Sequence, residues 1–280
     1  MLQQTRVAAV IAHYHEFLRR FPTVRKLAAA RETSVLAAWS GLGYYRRARM
    51  MHAAAKVIVH EHGGKFPSTA EALLALPGVG RYTAAAIASI AFDEPIAVVD
   101  GNVERVLQRV SERHLGGEEL WTAANHLLDA KRPGDSNQAM MELGATVCTP
   151  RAPGCLTCPV IKLCATRGEL AAATKPVPQQ KRDIHYILDC RNEQVLLVQR
   201  ARDLSLMPGM WELPEAAVMS STGKPQITLR HSITITDYAV CVWRAAAPSQ
   251  AAGKWTPVGR LKRIALTGLA RKILHAAHII

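Results

Sequence analysis

Apolar residues recur three and four positions apart along the first half of the chain, a spacing that predicts amphipathic helices. The pattern covers residues 7–21, 35–39, 50–59, 68–76 and 120–128. Glycine and proline interrupt it at Pro22, Gly41, Gly43, Gly63, Gly64, Pro67, Gly116 and Gly117. We therefore expect residues 1–147 to form an all-α domain with short connections.

A different pattern begins after residue 182. Short runs rich in β-branched and aromatic residues, at 184–190, 194–200, 226–236 and 238–244, predict strands, and residues 266–278 predict a closing helix. The proline-bearing basic sequence KPVPQQKR ends a predicted linker over residues 171–182. The predicted fold class is therefore multidomain, with an all-α domain followed by a small α+β domain over residues 183–280.

The charge balance adds a class of partner to this picture. The chain carries 35 Lys and Arg side chains against 22 Asp and Glu, a formal net charge of +13. Such an excess favours a polyanion, since phosphate contacts by basic side chains release counterions. The sequence contains neither a run of eighteen apolar residues nor a charged start followed by an apolar segment, so we expect no membrane association and a cytoplasmic location.

Four of the six cysteines crowd into a short segment. They are Cys148, Cys155, Cys158 and Cys164, with the spacing C-x6-C-x2-C-x5-C. This clustering indicates metal binding in a reducing compartment rather than a disulfide framework. Spacing alone leaves two candidates for the loop at 148–170, a tetrahedral zinc and a [4Fe–4S] cluster.

Residues 76–102 combine a glycine turn, a small-residue helix and one carboxylate in the sequence LPGVGRYTAAAIASIAFDEPIAVVDGN. The turn Gly78-Val79-Gly80 feeds a helix start, whose free N–H groups suit a phosphate oxygen. The apolar pair Val98-Val99 then leads to Asp100. Two plainer interpretations remain open, a loop between helices for the glycines and a helix N-cap for Asp100.

Several motifs together resemble one enzyme family. LPGVGRYTA and VVDGNV are similar to the helix-hairpin-helix and the aspartate segment of base-excision DNA glycosylases. MLQQTRV at the start, GLGYYRRAR at 41–49, NQAMMELGA at 137–145, the four cysteines and the trailing domain resemble MutY-type adenine DNA glycosylases. The resemblance implies a helix-hairpin-helix at 76–84, a [4Fe–4S] cluster on the four cysteines and a Nudix-like C-terminal domain. It also implies a monomer, associated with the bacterial nucleoid, that removes adenine from double-stranded DNA opposite 8-oxoguanine or guanine.

Catalytic roles follow from the same resemblance. Loss of adenine leaves a cationic sugar, and Asp100 matches the carboxylate that stabilises it. Tyr82 stands where bifunctional relatives of the endonuclease III type hold a Schiff-base lysine. A phenol forms no imine, so the resemblance implies a monofunctional glycosylase with Tyr82 and Asn102 lining the site.

Contacts to DNA are implied at further positions. Gln4, Thr5 and Tyr44 match residues that wedge into the duplex or touch the opposite base, and Gln138 matches an adenine-pocket position. By default Tyr44 would be an aromatic in a helix seam and Gln138 an amide serving its helix. Gly78, Val79 and Gly80 would hold a phosphate. Arg46, Arg47 and Arg49 would by default form a solvated helix face, and beside Tyr44 they are predicted phosphate contacts.

The chain departs from the family pattern in two places. A family glutamate that protonates the departing adenine stands two residues before the MLQQT motif, a position that precedes Met1 in this sequence. We expect the upstream reading frame to encode it, and the alternative function is a non-catalytic iron–sulfur protein that binds DNA lesions. In the C-terminal domain, residues 216–223 hold no carboxylate for magnesium. Ile233-Thr234-Ile235 replaces the family's Phe-Ser-His, which leaves Thr234 to recognise 8-oxoguanine and predicts weaker selectivity.

Overall fold

A computed structural model describes residues 1, 7–170, 180–216, 224–233, 235–248 and 251–280. The chain divides into two compact units, one formed by Met1–Lys56 together with Pro176–Ile280 and the other by Val57–Lys175. The domain boundaries predicted from the sequence remain a prediction. Among the described residues, no helix combines the length and apolar composition needed to cross a membrane.

Helices dominate the chain as far as the cysteine loop. They are α1 (Val7–Arg20), α2 (Val24–Ala28), α3 (Glu32–Trp39), α4 (Arg46–Glu61), α5 (Ala70–Leu74), α6 (Arg81–Phe92), α7 (Gly101–Ser111), α8 (Gly117–His126) and α9 (Pro133–Glu142). A five-residue π-helix, Leu143–Val147, follows α9. The all-α character predicted for this part of the chain is therefore confirmed. The sequence pattern missed α2, because five residues are too few to show a helical period.

In the unit formed by Val57–Lys175, helix α6 packs against its neighbours through alanine side chains. Ala84, Ala85 and Ala88 are fully buried. Small side chains allow neighbouring backbones to approach closely, and a Cβ added at Gly134 of α9 would lie 2.9 Å from the carbonyl oxygen of Ser89. This close packing brings α9 against the helix that begins at the glycine turn.

In the other unit, the N-terminal helices contact the C-terminal region directly. Phe17 and Trp39 meet edge to face with ring centroids 6.1 Å apart. The hydroxyls of Ser40 and Tyr45 both donate to the carbonyl oxygen of Leu266, at 3.2 and 3.1 Å. Ser40, Tyr45 and Leu266 are buried, so these hydrogen bonds connect distant parts of the sequence away from water.

The C-terminal region is the predicted α+β structure. Its elements are β1 (Gln180–Ile187), β2 (Cys190–Arg191), β3 (Gln194–Gln199), β4 (Trp211–Glu212), β5 (Ile227–Ile233), β6 (Thr236–Trp243), β7 (Gly253–Pro257) and α10 (Gly268–Ala276). One sheet has the order β1-β6-β5, with β1 parallel to β6 and β5 antiparallel to it. The second sheet contains β2, β3 and β4, and β7 pairs with β3. The buried side chains of Ile273 and Leu274 of α10 pack into the core of this region.

The fold class is thus confirmed, with differences at the strand ends. The predicted strand over 226–236 is two elements, since Ile233 of β5 pairs with Thr236 of the antiparallel β6. Strands β4 and β7 were not predicted. Two residues in β4 are too few to show an alternating pattern, and in β7 only Trp255 is a large hydrophobic residue.

Candidate active site

The glycine turn before α6 has the geometry that its sequence predicts. The N–H of Val79 donates to the carbonyl oxygen of Leu76 at 3.1 Å, and Gly78 has a φ of 76°. Proline at the second position and a left-handed glycine at the third are typical of a type II turn. Gly80 is the N-cap of α6 and brings no side-chain oxygen to it. Gly78 and Gly80 are exposed, so the start of α6 is open to a ligand.

Asp100 is the N-cap of α7. Its Oδ1 accepts hydrogen bonds from the N–H groups of Asn102 and Val103, both at 2.8 Å. Among the described residues, its Oδ2 accepts one, from Nδ2 of Asn102 at 3.2 Å. The interpretation of Asp100 as a helix N-cap is therefore correct. The cap does not prevent a catalytic role, because the bonds to Oδ1 fix the carboxylate and leave most of Oδ2 available to a substrate.

Tyr82 lies close to this carboxylate. Burial, and then the negative charge of Asp100, raise the pKa of the Tyr82 phenol above its ordinary value. The phenol is therefore protonated at neutral pH, and its hydroxyl points to Sδ of Met141 at 3.7 Å. The structure thus brings together Asp100, Tyr82 and Asn102, the three residues predicted as catalytic.

Arg105, one turn into α7, connects Asn102 with the segment before the cysteine loop. Its Nη2 donates to Oδ1 of Asn102 at 2.8 Å and to the carbonyl oxygen of Gly144 at 2.6 Å. Its Nε donates to the carbonyl oxygen of Cys148 at 2.7 Å. Asp100, Asn102 and Arg105 therefore form a continuous hydrogen-bonded chain that ends at the first cysteine. Sequence reasoning missed Arg105, although its position three residues after Asn102 on a helix places both on one face.

A buried amide supports the segment that leads to Asp100. Asn137 of α9 is 4% exposed. Its Oδ1 accepts from the N–H of Val98, and its Nδ2 donates to Oγ of Ser89 and to the carbonyl oxygen of Ile96, all at 2.9 Å. The family motif pointed to the neighbouring Gln138 and not to Asn137. Asn137 lies on the buried face of α9, and a polar side chain on a buried helix face could have identified it.

Gln138 itself is exposed and bonds within its helix. Its Nε2 donates to the carbonyl oxygen of Gly134 at 3.3 Å. This contact corresponds to the plainer interpretation, an amide that serves its helix, and the adenine-pocket role of Gln138 remains a prediction.

The ends of the cysteine loop are both attached to Arg109 of α7, which is 5% exposed. Its Nη1 donates to Sγ of Cys148 at 3.4 Å and to the carbonyl oxygen of Thr149 at 2.8 Å. At the other end, Sγ of Cys164 lies 3.4 Å from the carbonyl oxygen of Arg109 and 3.4 Å from the N–H of Arg167. One buried arginine therefore holds the first and last cysteines of the motif beside the same helix.

The four cysteines have free thiols of intermediate exposure. In the parts of the chain that the structure describes, no three His, Cys, Asp or Glu side chains come close enough together to hold a metal ion. The donor set nevertheless fits a cluster chemically. Four thiols lie in one loop, and the sulfurs of Cys148 and Cys164 already accept N–H bonds of the kind that tune cluster ligands.

The predicted DNA-contact residues near the start of the chain belong to the other unit. Gln4 and Thr5 lie outside the described residues. Tyr44 is 52% exposed, which is incompatible with an aromatic buried in a helix seam. Arg46 is exposed at the start of α4. Arg47 lies against aromatic rings, and Arg49 pairs with Glu32 through Nε at 3.1 Å.

The hairpin between β5 and β6 carries the predicted lesion-recognition residues. Thr234 lies outside the described residues, and Ile235 is 48% exposed at the hairpin. Directly after β3, Arg200 donates through Nη1 to both carboxylate oxygens of Glu212 of β4, at 2.7 and 2.9 Å. This pair is a structural contact within the C-terminal region.

Comparisons with known proteins agree with this geometry. The family described as "HhH-GPD superfamily base excision DNA repair protein" matches residues 1–115. The adenine DNA glycosylase of Mus musculus is 41% identical over 282 residues, which cover 79% of this chain and 53% of the mouse protein. An adenine DNA glycosylase of Buchnera aphidicola is 36% identical over 66% of this chain and 55% of its own length. The chain belongs to the MutY-type adenine DNA glycosylases of the HhH-GPD superfamily.

Solved structures extend this result to the fold of the MutY-type chain. A thermostable thymine-DNA glycosylase is 30% identical with a TM-score of 0.56, and the match covers 59% of this chain and 79% of that protein. A trapped endonuclease III–DNA covalent intermediate is 25% identical with a TM-score of 0.54 and the same coverage. The chain spans about half the length of the curated mouse and Buchnera relatives that it matches.

Proposed function

We propose that this chain is a monofunctional adenine DNA glycosylase that hydrolyses the N-glycosidic bond of adenine opposite 8-oxoguanine or guanine in double-stranded DNA. The observation that carries the proposal is the position of Asp100. Its carboxylate is held at the start of α7 by two backbone N–H groups on Oδ1, with Oδ2 less engaged and Tyr82 beside it.

The proposed step separates charge between the base and the sugar. The bond between C1′ and N9 breaks, its electron pair leaves with adenine, and the sugar becomes a cation. Asp100 stabilises this cation through Oδ2 until water adds at C1′ and loses a proton. Because Asn102 and the α7 backbone already hold the carboxylate, little reorganisation is needed during the reaction.

Tyr82 supports hydrolysis without strand cleavage. A lyase step requires an amine that attacks C1′ to form an imine, and a protonated phenol offers none. Borohydride should therefore trap no covalent complex with DNA. A trapped complex through a lysine would contradict the monofunctional assignment.

The decisive experiment replaces Asp100 by asparagine and measures single-turnover excision on an adenine·8-oxoguanine duplex. Asn and Asp are comparable N-caps, so D100N should keep the unfolding midpoint while lowering the rate about 10³-fold. The assay uses this chain and a second version in which a glutamate is added two residues before the MLQQT motif. Equal rates for wild type and D100N in both versions would refute the proposal.

DNA binding is proposed from the turn and from the neighbours. The matched endonuclease III structure is a complex with DNA. The exposed Gly78 and Gly80 leave the start of α6 open to a phosphate, and the net charge of +13 favours a polyanion. We propose that Tyr44, Arg46, Gln4 and Thr5 also contact DNA, and that Gln138 contacts the adenine.

We propose that Cys148, Cys155, Cys158 and Cys164 hold a [4Fe–4S] cluster. When bound, the cluster would serve as a covalent crosslink that shapes the loop. The chain's own contribution is Arg109, which positions the first and last ligands. Iron and acid-labile sulfide analysis of the purified protein should give about four of each per chain, and one zinc per chain without iron would refute the assignment.

Recognition of 8-oxoguanine is proposed to be weaker than in enzymes with the Phe-Ser-His hairpin. Ile235 is exposed at the hairpin but carries no hydrogen-bonding group. Replacing 233–235 by Phe-Ser-His should increase the ratio of affinities for duplexes with 8-oxoguanine and guanine opposite adenine. An unchanged ratio would show that Thr234 and its neighbours do not determine this selectivity.

A further inference from the structure

Three side chains near the start of α4 are layered on one another. The guanidinium carbon of Arg47 lies 5.6 Å from the ring centroid of Trp39 and 5.3 Å from that of Tyr44. A guanidinium at this distance is attracted to an aromatic face and can stack on it. Arg47 therefore connects a ring inside the unit with a ring at its surface.

The inner ring is a fixed platform. Trp39 is 2% exposed and packs edge to face against Phe17. Its Nε1 donates to the carbonyl oxygen of Gly43 at 3.1 Å. This bond holds the turn that precedes Tyr44 on the same platform that supports Arg47.

The outer ring belongs to a residue with a costly backbone conformation. Tyr44 has a φ of 46°, after Gly41 at 108° and Gly43 at 69°. Glycine adopts such angles freely, whereas a bulky aromatic in the left-handed region is strained and persists only when its surroundings hold it. Tyr44 is 52% exposed, and the Arg47 guanidinium lies against its ring on the protein side.

We propose that Arg47 is a positioning residue that holds the Tyr44 ring outward for insertion into DNA, rather than a phosphate contact. The backbone supports the same arrangement, because the N–H of Arg47 donates to the carbonyl oxygen of Tyr44 at 2.9 Å. The DNA side of this inference rests on the proposed function. Arg46 is adjacent, carries the same charge and is exposed, and it remains a predicted phosphate contact.

The first experiment compares R47M, R47K and R46M in duplex binding at several salt concentrations. A lost phosphate contact lowers the slope of log K against log salt by about one, and R46M should show this loss. R47M and R47K should keep the wild-type slope. The fluorescence of 2-aminopurine placed next to the mismatch reports insertion of the Tyr44 ring, and both variants should reduce its increase on binding at least threefold, as Y44A should. A lower slope for R47M, or wild-type behaviour of R47K, would overturn the inference.

The second experiment needs no DNA. A thermal double-mutant cycle compares R47M, Y44A and the double variant with wild type. If Arg47 supports Tyr44, removing the Tyr44 ring should change the unfolding midpoint in the wild-type background and much less in the R47M background. Additive changes would overturn the inference whatever the protein does to DNA. Clear coupling in a protein that binds no duplex would instead refute the proposed function and leave the support of Tyr44 by Arg47 intact.

Discussion

At the scale of single residues, Asp100 shows that a structural role and a chemical role can share one side chain. A helix N-cap is a common position for aspartate, and the same bonds that cap α7 orient the carboxylate. Asn102 and Arg105 extend this arrangement through side-chain hydrogen bonds to backbone carbonyls of the π-helix and of Cys148. Each member holds the next, so loss of one should disturb the others.

Replacing Arg105 by methionine should lower the free energy of unfolding by about 1–3 kcal/mol, because carbonyl oxygens of Gly144 and Cys148 lose a charged donor. Urea denaturation measures the change. The control is R113M, which removes an exposed ion pair with Glu119 and should cost at most about 1 kcal/mol. Equal losses for the two variants would mean that the Arg105 contacts contribute no more than a surface pair.

At the scale of elements, the π-helix after α9 shapes the site through one glycine. A Cβ added at Gly144 would lie 2.7 Å from Cβ of Asn102 and 2.8 Å from its carbonyl oxygen. Real Cβ atoms do not tolerate such distances from backbone. The π-helix therefore packs directly against the first turn of α7, the turn that Asp100 caps, and π-helices are frequent at functional sites.

The variant G144A should lose about 1–3 kcal/mol of stability from overpacking, and it should lose excision activity beyond that, since Asn102 must move. Calorimetry and single-turnover kinetics test the two parts. G268A is the matched control, because a Cβ at this first position of α10 meets nothing within 4 Å. If G144A behaves as G268A does, the close packing at Asn102 is not limiting.

At the scale of the whole molecule, the buried His52 and the half-buried His231 link stability to pH. His52 of α4 is 2% exposed, and burial, with the charge of Lys56 second, lowers its pKa below the ordinary value. Burial and Lys272 lower the pKa of His231 in the same direction. Below about pH 6.5 the unfolded chain binds protons on these histidines that the folded chain does not.

Stability should therefore be complete above about pH 6.5 and should fall as the pH decreases towards 5. Each unit of difference in pKa between the folded and unfolded states corresponds to about 1.4 kcal/mol. Urea denaturation from pH 7.5 to 5 measures the decline, which should be smaller in H52Q and unchanged in H15Q, since His15 is exposed. A decline as steep in H52Q as in wild type would remove His52 from this account.

Some features of the candidate site could be predicted from the sequence, and others could not. The turn at Gly78 and the cap at Asp100 could be predicted, because both depend on neighbours within four residues. The contacts of Arg105 and Asn137 with distant segments could not, since those partners lie 39 to 43 and 39 to 48 residues away in sequence. Among the three arginines of GLGYYRRAR, composition suggests one role, whereas Arg46 is exposed, Arg47 stacks on rings and Arg49 pairs with Glu32.

The sequence by itself determined most of the longer helices and strands and the family of this protein, through the helical and β periods, the glycine turn, the cysteine spacing and the family motifs. These features are local, and local spacing is enough to specify them. Only the tertiary structure decided how the site is supported. It attached Asn102 to Arg105 and the cysteine segment, placed Gly144 against α7 and layered Arg47 between Trp39 and Tyr44. The physical reason is that hydrogen bonds and packing join residues that are distant in the chain.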